Sequence, residues 1–249
     1  MVRWTFLLGI LAAGGCAHVD YDNVKRGEFS GSVYLLWVGP ADTALLGDGR
    51  FLYVPRAGDA LTFKRSLDAN PSEGSAVIVP EAFFTDGGSI PRAVQAMPGF
   101  NAWGFGPAFV IHDWVFVARK CMSDEFHFGV DLATPEMEKL AKMTFRESAQ
   151  VMAETIKTLV SDHDVSGGDT VSGPVISSFT AGPVSHRLWT EVGACHDGEL
   201  TPEEDQLLRS VNEDKGLRAG AALARATKAR PMKIAEGLVA YVVADYSVD

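Results

Sequence analysis

The segment AFVIHDWVFVARK, residues 108–120, marks the change from strand-forming to helix-forming sequence in this chain. Its apolar run is long enough for a buried helix, and Pro107 stands where a first-turn proline is favoured, although periodicity alone also allows a strand. A second helix is predicted over residues 144–160. Its apolar face consists of Phe145, Ala149, Met152, Ile156 and Leu159. On this spacing, Glu147 and Glu154 are expected on the opposite, solvated face.

Short apolar runs precede these helices. They cover residues 31–38 (GSVYLLWV), 50–54, 60–63 and 76–79, and glycine, proline, aspartate and asparagine separate them. Short strands with turn residues between them predict a small antiparallel sheet. The predicted fold class is therefore α+β, with a domain over residues 29–160.

The rest of the chain is predicted to be a loop and a helical C-terminal extension, residues 161–249. Residues 161–182 are polar and rich in glycine, which favours a loop, or one strand at 174–179. Thr201-Pro202-Glu203-Glu204 is a helix start of the capping type, and the helix is expected to reach about residue 227. The final apolar segment, residues 237–245, fits either a helix or a strand.

The N-terminus has the features of a secretory signal. Arg3 precedes an apolar stretch at residues 4–13, and Gly14-Gly15 leads to Cys16. The stretch is shorter than the roughly 20 residues that a membrane-spanning helix needs. Residues 11–16 resemble the lipobox of bacterial lipoproteins, with Ala13 where that motif prefers leucine. The resemblance implies a signal peptide over residues 1–15, lipidation of Cys16, a membrane as partner and a tether over residues 16–28.

Two other interpretations of the N-terminus are an ordinary signal peptide that is cleaved without lipidation and an N-terminal segment that is not cleaved. An aspartate directly after the lipidated cysteine can retain lipoproteins in the inner membrane. Ala17 stands at that position here, so the lipobox resemblance favours the outer membrane. Export would place Cys121 and Cys195 in an oxidising compartment, where we predict a disulfide between them; the alternative is two separate buried thiols.

Charge argues against nucleic acid as a partner. The 249 residues are 47% hydrophobic and have a net charge of −10, which phosphate backbones repel. Lys25-Arg26 and Lys64-Arg65 are isolated basic pairs and are expected to be solvated surface charges.

Two motifs carry the candidate chemistry. In TDGGSIPR, residues 85–92, Asp86 and Ser89 can bond their own backbone, the N–H groups of the turn can bind an anion, and Arg92 can reach a carboxylate. The alternative is that Asp86 and Ser89 only hold the turn. The second motif is IHDWVF, residues 111–116.

His112 and Asp113 lie inside the apolar segment. Burial of two ionisable groups costs several kcal/mol unless they have partners. His112 can act as a general base or a metal ligand. The alternative is a core histidine, with Asp113 paired to Arg92 or Arg119. The TDGGSIPR turn and the His112-Asp113 segment are expected to be in contact.

The two motifs in this order resemble those of the DUF1353 family, a group of uncharacterised bacterial and phage proteins, over about residues 30–160. The HD-x-x-[YF] pattern is also similar to the phospholipase A2 helix. That similarity implies a hydrolase with His112 as base, Asp113 as an orienting residue or ion ligand, and Asp86-Gly87-Gly88 in place of a glycine-rich loop. Ser89 and Arg92 are the expected binding residues of the same polar site. Ala149 stands where a second-helix carboxylate would orient the histidine.

Two further groups of polar residues are weaker candidates. Cys195-His196-Asp197 has the residue types of a nucleophile pair, but sequence neighbours rarely have triad geometry. Asp124, His127 and Asp131 have metal-ligand spacing but are expected to be solvated. The sequence therefore predicts an exported envelope lipoprotein that is a binding or structural module, or alternatively a hydrolase, and it identifies no cofactor, metal or protein partner.

Overall fold

The computed structural model describes residues 17–40, 50–85, 105–163, 165, 172–195, 232–235 and 238–249. Within these ranges the strands are β1 (Glu28–Ser30), β2 (Ser32–Pro40), β3 (Arg50–Tyr53), β4 (Thr62–Lys64), β5 (Val77–Ile78), β6 (Phe83–Thr85), β7 (Met232–Ala235) and β8 (Leu238–Ser247). The α-helices are α1 (Gly106–Phe128), α2 (Pro135–Lys139), α3 (Phe145–Asp162), α4 (Ser172–Thr180) and α5 (Pro183–Trp189). Short 3-10 helices occur at Tyr21–Asn23 and Leu67–Ala69.

The strands form two antiparallel sheets. The larger sheet has the order β6-β3-β2-β8-β7, and the smaller sheet has the order β1-β4-β5. Helices α1 to α5 follow the sixth strand in sequence, so the predicted α+β class is confirmed.

The C-terminal part of the chain contributes strands as well as helices. β8 pairs with β2 from Ser32↔Ser247 to Pro40↔Leu238, with a register shift at Leu35/Leu36. β8 therefore lies inside the larger sheet. The predicted loop and helical extension over residues 161–249 does not include such a strand. The reason is physical: residues 33–38 are all buried, so the backbone N–H and C=O groups on both edges of β2 need hydrogen-bond partners, which β3 and β8 supply. The predicted helix over residues 201–227 lies outside the described residues.

Residues 174–179 belong to α4, so the loop or strand predicted there is wrong. Pro174 lies in the first turn of this helix, where a missing N–H removes no intrahelical bond. Ile176 is buried, and the Ser177 hydroxyl bonds back to the Gly173 carbonyl. The sequence pattern missed the helix because α4 is short and its composition is typical of a turn.

α1 packs its aromatic side chains against the larger sheet. Phe83 of β6 lies between Tyr53 and Trp114, with ring centroids 6.0 and 5.5 Å away. All three rings are almost fully buried. The helix ends at Gly129, whose left-handed φ of 66° allows its N–H to bond the Glu125 carbonyl. These contacts place residues 112 and 113 beside the end of β6.

The N-terminal segment is docked on the helices. The Ala17 N–H donates to the Ala181 carbonyl at 3.2 Å, and the Gly27 N–H donates to the Thr158 hydroxyl at 3.0 Å. Between them, Lys157 Nζ donates to the Asp22 carbonyl at 2.6 Å. The part of the expected tether that the structure describes, residues 17–28, is therefore held against the domain by hydrogen bonds. A polar composition alone could not reveal this, because the partners are in distant helices.

None of the helices in the described ranges combines the length and apolar character that crossing a bilayer requires.

Candidate functional site

The described part of the candidate site lies where β6 meets α1. The Thr85 hydroxyl donates to Asp113 Oδ2 at 2.5 Å. Thr85 is the first residue of the TDGGSIPR motif and is itself buried, so this bond joins the start of the motif to the helix. Asp86, Ser89 and Arg92 lie outside the described residues.

His112 is buried one position earlier on the same helix. Only 6% of its surface is exposed, and its ring packs on Phe116 with centroids 4.7 Å apart. Its Nδ1 is 3.7 Å from Asp113 Oδ1, which is too long for a hydrogen bond. Its Nε2 has no hydrogen-bond partner in the part of the chain that the structure describes. Buried polar atoms are usually hydrogen-bonded, so this nitrogen is a hydrogen-bonding position that the described residues leave unused.

Arg119, one of the partners expected for Asp113, is used elsewhere. Its guanidinium lies 5.7 Å from the centre of the Trp189 ring. Its Nε is buried and has no hydrogen-bond partner within the described ranges. The pairing of Asp113 with Arg119 is therefore wrong, and the described partner of Asp113 is a hydroxyl.

The carboxylates of α3 bind Arg65 and are not directed to His112. Arg65 Nε donates to Glu154 Oε2 at 2.8 Å and Nη2 donates to Glu154 Oε1 at 3.0 Å. Arg65 Nη1 donates to Glu147 Oε1 at 2.6 Å. Ala149 is fully buried in the apolar core. No carboxylate of α3 is hydrogen-bonded to the imidazole within the described residues.

Two predictions are wrong for this buried ion cluster, which is defined as Arg65, Glu147 and Glu154. Neither carboxylate is on a solvated face, since the side chains of Glu147 and Glu154 are 14% and 0% exposed, and Arg65 is not a surface charge, since its side chain is 0% exposed. The reason is that the segment between β4 and β5, which carries Arg65, Ser72 and Ser75, packs on this face of α3. One signal was available in the sequence: residues seven apart on a helix share a face, so the two carboxylates form a pair.

Hydrogen bonds and burial act in opposite directions on the two carboxyl groups of the cluster. Burial alone would raise the pKa of Glu147, but hydrogen bonds from the Ser72 N–H and from Arg65 outweigh it and hold this pKa below its usual value. Burial raises the pKa of Glu154 against the opposing effect of Arg65. The cluster is therefore a structural element whose acceptors are already used.

Asp124 is also a structural residue, and the prediction that it is solvated is wrong. It is 1% exposed, and its two oxygens accept from the Gly193 N–H at 2.6 Å and the Cys195 N–H at 2.9 Å. Cys195 forms a disulfide with Cys121, with the Cα atoms 4.4 Å apart. Asp124 lies one turn after Cys121 on α1, so it fixes the turn that carries the second cysteine.

The weaker candidates gain no support as metal or catalytic sites. His127 and Asp131 are exposed. In the described ranges, no three histidine, cysteine, aspartate or glutamate side chains are grouped so that they could hold a metal ion. His196 and Asp197 lie outside those ranges.

Comparison with known proteins gives one family match. Residues 62–156 match the model of a family described as a protein of unknown function, DUF1353. The predicted resemblance is confirmed over this range, which begins at β4, ends within α3 and includes both motifs. No curated protein and no solved structure matches the chain.

Proposed function

We propose that this protein is an exported lipoprotein of the bacterial cell envelope, anchored through Cys16, and that its polar site between β6 and α1 binds a ligand or partner. The observation that carries the proposal of export is the disulfide between Cys121 and Cys195. Disulfides persist in exported proteins and are rare in the cytosol, where thiols are kept reduced. Cys16 is the remaining cysteine of the sequence, and it follows the apolar signal and two glycines.

Binding is favoured over hydrolysis by the surroundings of His112. A general base of the phospholipase A2 type needs a carboxylate that orients its ring. In the described residues, however, Asp113 is 3.7 Å away and is bonded to Thr85, and the α3 carboxylates hold Arg65. The buried Nε2 can still accept from, or donate to, a bound group. The geometry therefore supports recognition of a hydrogen-bonding ligand and gives less support to proton abstraction.

Replacement of the anchor residue tests the proposal. In Cys16→Ser the lipid cannot be attached, so we expect the variant either to leave the membrane fraction or to accumulate unprocessed. Cell fractionation followed by detergent partition measures this. Ala17→Ser is the matched control, because it changes the next residue and keeps the cysteine, and it should stay with the membranes. Equal amounts of processed, membrane-bound protein for the two variants would refute the anchor.

A further inference from the structure

The first described residue fixes where the anchor meets the domain. Ala17 directly follows Cys16, and its N–H is bonded to the carbonyl of Ala181, between α4 and α5. A lipid on Cys16 is therefore one residue away from a backbone position that is hydrogen-bonded to the domain. Because so little chain lies between them, the α4–α5 corner must be close to whatever surface holds the lipid.

The α4–α5 corner, defined as residues 179–184, exposes apolar side chains. Phe179 is 46% exposed and Val184 is 72% exposed, and they flank Ala181 on its two sides. Phe179 also lines an open, mostly apolar groove of about 310 Å³. The remaining residues of this groove are Pro174, Val175 and Ser178. An aromatic ring and an aliphatic side chain beside a lipid attachment point are what an interfacial contact requires.

The distribution of charged residues also favours a membrane contact at this corner. Residues 172–184 contain no aspartate, glutamate, lysine or arginine, although charged residues make up 22% of the chain. Arg187, which follows on α5, is exposed. A protein of net charge −10 is repelled by anionic headgroups over most of its surface, so an uncharged surface next to a cation is the one that can approach them.

We infer that the α4–α5 corner rests on the lipid surface beside Cys16, with the side chains of Phe179 and Val184 in the headgroup region. This inference depends on the proposed anchor at Cys16. It assigns an orientation to the domain: α4 and α5 face the membrane.

Photo-crosslinking in membranes tests this orientation. The photoreactive residue p-benzoylphenylalanine replaces Phe179, Val184 or Phe126 in the full-length chain, and each protein is irradiated in isolated membranes and analysed by mass spectrometry. Phe126 is the matched aromatic control, because it is 87% exposed and lies at the end of α1. We expect lipid adducts at positions 179 and 184 in excess of those at position 126.

The outcomes separate the inference from the anchor. Lipid adducts at position 126 that equal or exceed those at 179, or protein adducts at 179 and 184, overturn the orientation while the chain still floats with vesicles. A chain that does not float with vesicles at all refutes the anchor itself and the orientation with it. Thermal melts that match the unmodified protein establish that each labelled protein is folded.

Discussion

Arg65→Ala is expected to lower the free energy of unfolding by about 3–5 kcal/mol, the usual cost of removing one partner from a buried ion pair. The Glu154 side chain is 0% exposed and receives two hydrogen bonds from the guanidinium, so the variant leaves a buried carboxylate without its cation. Arg65→Lys should recover only part of the loss, because an ammonium group cannot make the two-pronged contact. Urea unfolding measures all of these changes.

The matched control for Arg65 is a second arginine–carboxylate pair at the protein surface. Arg26 and Asp162 are 2.6 Å apart, but their side chains are 54% and 40% exposed. Arg26→Ala should therefore cost less than about 1 kcal/mol. Similar losses for the two alanine variants would show that the Arg65 cluster is solvated and that the description of α3 as covered on both faces is wrong.

Asp113→Ala is expected to lower the free energy of unfolding by about 1.5–3 kcal/mol, the range for a hydrogen bond to a charged group. The carboxylate accepts from the buried Thr85 hydroxyl, and this contact joins α1 to the end of β6. Thr85→Val removes the other partner with little change in shape. If the bond carries the effect, the double variant should cost less than the sum of the two single variants.

His112→Leu provides the contrast at the neighbouring position. Leucine fills similar space and removes the buried Nε2, which has no partner within the described ranges. Stability should therefore stay the same or rise, because residues kept for binding are often not optimal for stability. A loss as large as that of Asp113→Ala would make His112 a structural residue and remove the argument for a ligand position.

The features that local sequence patterns could predict are those set by neighbouring residues. The apolar run and Pro107 predict α1, which spans Gly106–Phe128, and the Phe145 face predicts α3. The short β-branched and aromatic runs predict antiparallel strands such as β2 and β3. In each case the run or the spacing of apolar residues along the segment indicates which of its side chains are buried.

Features that depend on distant partners could not be predicted in this way. The apolar stripe of α3 identifies one buried face but cannot show that the segment between β4 and β5 packs on the other, so the pattern predicts solvated side chains for Glu147 and Glu154. The pattern likewise predicts a solvated Asp124, although this residue lies buried on α1 and binds the backbone of the Cys195 turn. All three are buried or mostly buried carboxylates whose donors lie about 70 to 90 residues away in sequence.

The candidate site is an intermediate case. Because an ionised Asp113 inside an apolar segment needs a partner, the sequence predicts that the turn and the helix meet, and the bond between Thr85 and Asp113 is such a contact. The sequence could not identify the partner of Asp113, because both Arg92 and Arg119 are candidates and the side chain that bonds to it is the Thr85 hydroxyl. Asp86, Ser89 and Arg92 remain predictions.

The mature N-terminus is the most direct measurement of the central claim, that the protein is a lipid-anchored envelope module. Protein is extracted from membranes without reductant and digested, and the masses of its peptides are measured by mass spectrometry. The account predicts an N-terminal peptide that begins at Cys16 and carries the mass of a lipid, together with a disulfide-linked peptide pair that contains Cys121 and Cys195. An unmodified Cys16, in an internal peptide or at a free N-terminus, would contradict it.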